Sequence, residues 1–558
     1  MYNDVVALFK SIDINVRKNF ELIIIRLLQL LLAFSLINIV FLQIFGVDDF
    51  LFHEMSYPLL YAQNNYDNFS LMSPTFAGRE TSPFGYSIVY TLLLILGLKV
   101  NFFTHAIGLL IFDFSILLLI FAFWKFKILS LKSSLLFANL VFIYFASGVS
   151  TYSWKDQVWM WPMNSYGVLD FFSIFLSLLI IQLLSKSHKF IAAFPNFLFY
   201  TLCGFFLLFS LNGMRTLLTV VIPSFSSLVF VLLLKHFKDD KSKITSIRII
   251  LFCFGSIMLG YFTHQFFWGS FPQPNQNSHL TLLLDSSEQF GINLINLPAI
   301  WLNLFDALPL VPTHVFSIDF IYLMSKLSFA ITLICITFVL GRKITRSSSS
   351  LIIFALVKLL VLVAIILIPY MFSNNNFFPR YLIPIIYPLF FLMVLLLEKS
   401  RNRIYFFISS LLLIISCHNF ISSLPLLNSN INQTFLFQVN NLLSEKKISK
   451  GYFSPYSNGF ISLNLISEGK ITSAPVDINN NFFSKHYHAD SKWYDQIPNT
   501  KSFLYLSNWF DEKLNYSQFL SLSQLLDQVR SKNINFQKIN YPNGQLYIFE
   551  SDIGTFIQ

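Results

Sequence analysis

The sequence predicts a mainly α fold: a polytopic membrane helical bundle of about eleven spans, followed by a small α/β extracytoplasmic domain. Three observations predict it. Hydrophobic residues make up 55% of the 558 and charged residues only 12%, half the roughly 25% of an ordinary soluble domain. Apolar runs close to the length that crosses about 30 Å of hydrocarbon follow one another along the chain. After residue 422 the composition turns to Asn, Ser, Lys, Tyr and Asp. With 66 Phe and a mean hydropathy of +0.62, the chain cannot cover its apolar surface in water.

The apolar runs are 22–45, 104–124, 134–148, 166–184, 191–211, 216–234, 247–268, 317–341, 350–372, 382–397 and 404–422. They define a membrane domain over 1–422, and 423–558 forms the extracytoplasmic domain. A further run from Gly85 to Leu98 is too short for a crossing and fits an interfacial or re-entrant helix. The polar stretch with Lys10, Arg17 and Lys18 before Leu22 is not a secretory leader, because the run that follows is too long and lacks a small-residue cleavage site.

Basic residues test the arrangement, since they favour cytoplasmic loops. With the N-terminus inside and 85–98 not crossing, nineteen Lys and Arg fall in inside loops. Outside, before the tail, there are five: Arg79, Lys99, Lys155, Arg215 and Arg380. Counting 85–98 as a span reverses that balance. The expected setting is a bacterial-type inner membrane, multi-pass, with the C-terminal domain outside. The formal charge of +10 is therefore spent on topology, and no nucleic-acid partner is expected. Cys203, Cys253, Cys335 and Cys417 all lie in apolar runs and read as small buried hydrophobes, without disulfide or metal spacing.

In the tail, strand-like runs at Gly451–Phe453, Lys470–Val476 and Ser502–Leu506 alternate with helix-like runs at Asn458–Ser467 and Tyr516–Arg530. Two further runs, Ile534–Ile539 and Gln545–Glu550, flank Tyr541-Pro542-Asn543-Gly544, whose Asn-Gly is a hairpin signal.

Chemistry-bearing residues gather in three outer segments. The first, about 46–84, holds Asp48 and Asp49 directly after span one, then His53, Glu54, Asp67, Arg79 and Glu80. The second carries Trp154-Lys155-Asp156 with Trp159 and Trp161. The third, about 269–316, reads as a long loop without Lys or Arg, and loops of that size are usually functional. One carboxylate of the Asp48–Asp49 doublet can serve as general base toward a hydroxyl or amine. Arg380, beside Asn374-Asn375-Asn376 at the outer end of span ten, can hold a phosphate with two prongs. Inside the spans, Asp113, Asp170, Lys326 and Lys358 are costly; Asp113 and Lys358 suit an ion pair, and Lys326 and Asp170 lie close to the outer side. His486, His488 and Asp490 lack a further ligand at metal spacing and read as a polar loop. No phosphate-cradling glycine loop is present in the sequence.

The layout resembles the GT-C superfamily of membrane glycosyltransferases, which includes protein O-mannosyltransferases and lipid A aminoarabinose transferases. The matching features are Asp48-Asp49 after span one, where the family often has Asp-Glu, and Asp156 before span four. Pro379-Arg380-Tyr381-Leu382-Ile383-Pro384 entering a late span and the soluble outer tail also match. The resemblance implies Asp48, Asp49 and Asp156 as catalytic acids, and Arg380, Arg79, Lys155 and Arg215 as donor-phosphate contacts. It implies a polyprenyl-phosphate sugar donor and a glycan, lipid or protein acceptor in the envelope. Besides these, membrane lipid is the expected partner; no cofactor and no metal site are assigned. The alternatives are a polyprenyl-linked glycan flippase or other transporter, and a noncatalytic subunit of an envelope-polysaccharide assembly. A transporter calls for midplane sites in two related halves, which the sequence does not show.

Topology provides the first test. Reporter fusions after Lys132, Lys243 and Arg403 are expected to read cytoplasmic, and fusions after Asp156, Gln276 and Tyr456 external. An external signal at Lys132 would make 85–98 a span.

Overall fold

The computed structural model describes residues 2–45, 87–146, 173–181, 194–236, 240–268, 287–305, 317–342, 349–371, 382–398, 402–423, 435–454, 463–479 except 465, 482–485, 491–495, 500–507, 512–541 and 544–557, plus isolated positions such as 59, 62–63, 66–67 and 497. The chain divides into two compact units: Met1–Leu42, Phe112–His264 and Asn277–Leu427 form the first, and Gln43–Ile111, Gln265–Gln276 and Asn428–Gln558 the second.

The first unit is helical because hydrocarbon offers no partner to backbone N–H and C=O, so each span must satisfy its own. Its helices are α1 (Tyr2–Phe45), most of α3 (Phe102–Lys125), α4 (Leu131–Ala146), α5 (173–181) and α6 (Phe194–Ser210). Next, α7 begins at Met214–Thr216, widens into a π-helical turn over Leu217–Val221 and continues as Ile222–His236. Then follow α8 (Asp240–Trp268), α9 (Ser287–Leu304), α10 (Ile318–Gly341), α11 (Ser350–Met371), α12 (Ile383–Leu397) and α13 (Asn402–Ser423). Among the described residues, seven helices are long and apolar enough to cross a membrane, in α1, α3, α7, α8, α10, α11 and α13, and shorter apolar helices occur at Leu131–Ile143, Phe197–Ser210, Phe290–Leu302 and Pro384–Leu397. The chain is an integral membrane protein. Hydroxyls inside these helices donate to carbonyls one turn back, as Ser35 does to Leu31, Ser210 to Phe206 and Ser409 to Tyr405, which satisfies them without a neighbour.

Contacts between helices fix relative direction. Lys132 of α4 meets Glu21 of α1 at 3.6 Å, and seven residues further along both helices Asn139 Nδ2 donates to the Leu28 carbonyl at 2.8 Å. The two helices therefore run parallel. Phe20 faces Phe406 and Phe34 faces Phe420, each pair with ring centroids 5.8 Å apart, so α13 runs parallel to α1 as well. At the end where α4 starts, Glu398 of α12 accepts from the Ser130 N–H at 2.8 Å, and Ser133 shares a 3.0 Å hydrogen bond with Tyr405. In the same way Phe199–Phe252, Cys203–Cys253 and Leu211–His264 contacts climb α6 and α8 together. A Cβ at Gly260 of α8 would collide with the Leu207 carbonyl of α6, so glycine permits this close approach.

Three features depart from the expectations. The segment 269–316 is not all loop: α9 lies within it, and Asn293 Nδ2 donates to the carbonyls of Tyr370 and Met371 at 3.0 and 3.3 Å. It thereby caps the last turn of α11, whose carbonyls have no partner further along the helix. Cys335 and Cys417 are exposed on helix surfaces rather than buried. The four-residue strand Phe482–Lys485 and the helix Phe435–Glu445 of the tail have no counterpart among the expected elements.

In the second unit, α2 (Ser87–Ile95) spans about 14 Å at 1.5 Å per residue, too short to cross. It ends before Gly97 at φ +88°, a left-handed stop that suits glycine. Tyr90 of α2 packs its ring where Gly108 of α3 lacks a Cβ, and its hydroxyl lies 3.1 Å from His105 Nδ1. The tail forms α14 (Phe435–Glu445) and a six-stranded sheet of β1 (Lys450–Ser454), β2 (Thr472–Asn479), β3 (Phe482–Lys485), β4 (Ser502–Ser507), β5 (Phe536–Tyr541) and β6 (Gly544–Phe549), with α15 (Glu512–Ser531). The order is β3-β2-β1-β4-β6-β5, with β1 parallel to both neighbours. Tyr541 pairs with Gly544, so β5 and β6 are the antiparallel pair that the hairpin signal anticipated.

One carboxylate anchors this sheet. Asp552 accepts from Lys450 Nζ and the Tyr452 hydroxyl, each at 2.8 Å, and from the Ile497 and Gly554 N–H groups, each at 3.0 Å. Burial pushes its pKa upward, but the Lys450 ammonium, the two N–H donors and the Tyr452 hydroxyl outweigh that and hold it below the usual carboxylate range. Its stabilisation is thus present above about pH 4 and lost on acidification. Asp477 on β2 behaves oppositely: burial raises it to about 6. With an unfolded value of about 3.9, its ionisation costs stability as pH rises through 6. Asp477→Asn is expected to stabilise the tail domain of the full chain by about 1–3 kcal/mol at pH 8 and to leave it unchanged near pH 4. Thermal unfolding followed by tryptophan fluorescence across that range checks it; equal stability at pH 8 would count against the buried cost.

Candidate active site

Most of the anticipated site lies outside the described residues: Asp48, Asp49, Arg79, Lys155, Asp156 and Arg380, together with Asp170, Trp154, Trp159, Trp161, His486, His488 and Asp490. What is described is the framework from which those segments leave. The C-terminal ends of α1, α4 and α13 lie at one end of the first unit, because the three helices are parallel. Segment 46–84 with Asp48 and Asp49 leaves from α1, the segment with Asp156 from α4, and the tail from α13.

Arg215 is the described member of the phosphate set. It lies in the first turn of α7, after Gly213 at φ +90° turns the chain. The first N–H groups of a helix have no partner within it and carry the positive end of its dipole, so Arg215 lies in the turn of α7 best suited to an anion. The π-helical turn at Leu217–Val221 begins two residues later, and such turns often mark functional sites. His264 near the end of α8 faces the same turn. Its Nδ1–H donates to the Leu211 carbonyl at 2.8 Å, and a Cβ at Gly213 would sit 3.2 Å from the ring. In the sequence His264 is one polar residue in an apolar run, and nothing there marks its contact with Leu211.

A second polar group joins α10 and α13. Tyr322 donates to Asn419 Oδ1 at 2.7 Å and stacks on His418 with centroids 3.5 Å apart. His418 Nε2 meets Asp319 Oδ1 at 3.2 Å, and the Lys326 ammonium lies 4.0 Å from the Tyr322 ring centroid. Asp319, Tyr322 and Lys326 share one face of α10 by helical spacing. Of these residues only Lys326 stood out in sequence, because its partners are nearly a hundred positions away. Deeper in the bundle, buried Lys358 of α11 donates to Ser224 of α7 at 3.0 Å, and Ser224 is 3.1 Å from Ser173 of α5. No group of three or more metal-ligating side chains occurs among the described residues.

This architecture has a solved counterpart. The apo crystal structure of ArnT from Cupriavidus metallidurans superposes over 95% of this chain and 98% of its own, with a TM-score of 0.50 and 9% sequence identity. The chain shares the fold of that structure. No family model and no curated protein matches the sequence. At 9% identity the likeness concerns the path of the chain, and function still has to be argued from the site.

Proposed function

We propose that this protein is a membrane glycosyltransferase that moves a sugar from a polyprenyl-phosphate carrier to an envelope acceptor on the outer face of the inner membrane. The observation that carries the reading is the GT-C-like fold over nearly the whole chain. It is supported by the parallel course of α1, α4 and α13, from whose common end the acid-bearing segments depart.

In this reading Asp48 or Asp49 takes the proton of the acceptor hydroxyl or amine as that group attacks the sugar C1. The bond from C1 to the carrier phosphate oxygen breaks, and its electron pair stays on the phosphate. One displacement inverts the anomeric centre. Arg380, with Arg79, Lys155 and Arg215, meets the charge that grows on the leaving phosphate, where a contact stronger in the transition state raises turnover. Asp156 supplies the second acid. The prenyl chain lies against the apolar helices, so donor recognition is divided between hydrocarbon and phosphate.

Sugar transfer from a polyprenyl-phosphate donor in proteoliposomes tests the assignment. Asp48→Asn combined with Asp49→Asn is expected to lower turnover about 10²–10⁴-fold with normal expression and insertion; full activity in the double variant would remove the carboxylate role. Arg380→Lys is expected to weaken donor binding about ten- to a hundredfold, because an ammonium cannot reproduce the bidentate contact. A Lys variant that behaves as the parent would instead show a side chain that only reaches for headgroups.

A further inference from the structure

We propose that Cys203 of α6 and Cys253 of α8 are a redox-active dithiol, oxidised to a disulfide by a lipid-soluble quinone. The proposal does not depend on the transfer reading. The two sulfurs lie 3.9 Å apart, and both side chains are free thiols in this structure. A disulfide holds its sulfurs at about 2.05 Å, so the bond needs roughly 2 Å of closure, which rotation about χ1 of two side chains supplies. The backbones are already close. Contacts of Phe199 with Phe252 and of Leu211 with His264 keep α6 and α8 side by side, and the missing Cβ of Gly260 admits the Leu207 carbonyl. Fifty positions separate the two cysteines along the chain, so helix packing makes the pair and spacing does not reveal it.

Position selects the oxidant. Cys203 lies near the middle of the seventeen-residue α6, and Cys253 near the middle of the twenty-nine-residue α8. A charged, water-borne disulfide would have to leave water to reach them, whereas a quinone on an alkyl or prenyl tail is dissolved in hydrocarbon and accepts two electrons. Beside the thiols, the rings of Tyr200, Phe199 and Phe252 follow one another across the two helices at 5.4 and 5.7 Å. Tyr200 and Phe252 are 65% and 59% exposed, aromatic surface on which a flat ring stacks. The thiols are unequal: Cys253 is fully buried and Cys203 partly exposed, so Cys203 meets the quinone and Cys253 resolves it. The Cys203 sulfur adds to a ring carbon, and its proton passes to a quinone oxygen. The Cys253 sulfur then attacks that sulfur. The S–C bond breaks, its electron pair returns to the ring, and the second thiol proton goes to the other oxygen. Two thiols and one quinone become one disulfide and one hydroquinone, and the new bond fastens α6 to α8.

The full chain is reduced with a phosphine, freed of reductant and reconstituted into liposomes under nitrogen. One set receives a fully ring-substituted benzoquinone with an alkyl tail, a second receives glutathione disulfide in the water, and a third receives no oxidant. After denaturing alkylation, peptide mass spectrometry counts the thiols, and absorbance counts hydroquinone. The quinone set is expected to gain the Cys203–Cys253 disulfide in most chains, with about one hydroquinone for each, as a two-electron exchange requires. The other two sets are expected to keep both thiols alkylated. Cys203→Ala and Cys253→Ala are each expected to abolish hydroquinone formation. The proposal is overturned if both thiols of the parent remain alkylated after quinone, a comparison that needs no variant. Hydroquinone formation undiminished in the two variants also overturns it, and equal oxidation by glutathione disulfide overturns the lipid-borne route. No sugar transfer enters the measurement, so loss of the glycosyltransferase reading would leave its outcome untouched.

Discussion

The buried amide of Asn139 donates across the helix boundary to the Leu28 carbonyl and along its own helix to Leu135, and the register of the helical unit depends on that contact. Lipid tails provide no hydrophobic drive to pull helices together, so van der Waals fit and a few polar contacts select their arrangement. The pair of Glu21 with Lys132 lies seven residues below on both chains, and the two contacts agree on a parallel alignment of α1 and α4. Among the described residues between them, α3 is the one helix long and apolar enough to cross a membrane.

Direction has a chemical consequence. The C-terminal ends of parallel α1, α4 and α13 lie at one end of the helical unit, and in the proposed reading the Asp48–Asp49 doublet, the segment with Asp156 and the tail follow these three helices in the chain. A transferase acting on a lipid-linked donor needs its acids and phosphate contacts on the side where the acceptor is found. The basic residues on the opposite loops favour the same orientation, because moving them across the membrane is costly.

The spans were readable because a membrane helix writes itself as a long apolar run, and the tail strands because β1, β2 and β4 are short apolar segments between polar turns. The hairpin was legible in Asn543-Gly544. Less visible were features whose cause lies elsewhere in the chain. In α9, Asn293, Asn296 and Pro298 interrupt the apolar pattern, and its helical state makes sense beside the α11 carbonyls it caps. Strand β3 has four residues and gains its identity by pairing with β2. The contact of His264 with Leu211, and the grouping of Tyr322 and Lys326 with His418 and Asn419, depend on helix packing that periodicity does not encode. Of the candidate site, sequence could name residue types suited to acid–base and phosphate chemistry. It could not show that Arg215 begins a helix after a left-handed glycine.

The measurement closest to the central claim is the direction of α1 against α13. Cysteines replacing Phe20 with Phe406, and Phe34 with Phe420, are joined by a short thiol-reactive cross-linker in membranes, with Cys203, Cys253, Cys335 and Cys417 first changed to serine. The parallel arrangement predicts efficient linkage in both of these pairs and little in the exchanged pairs, Phe20 with Phe420 and Phe34 with Phe406. Linkage confined to the exchanged pairs would reverse α13, send the tail to the other side from Asp48 and Asp49, and contradict the account.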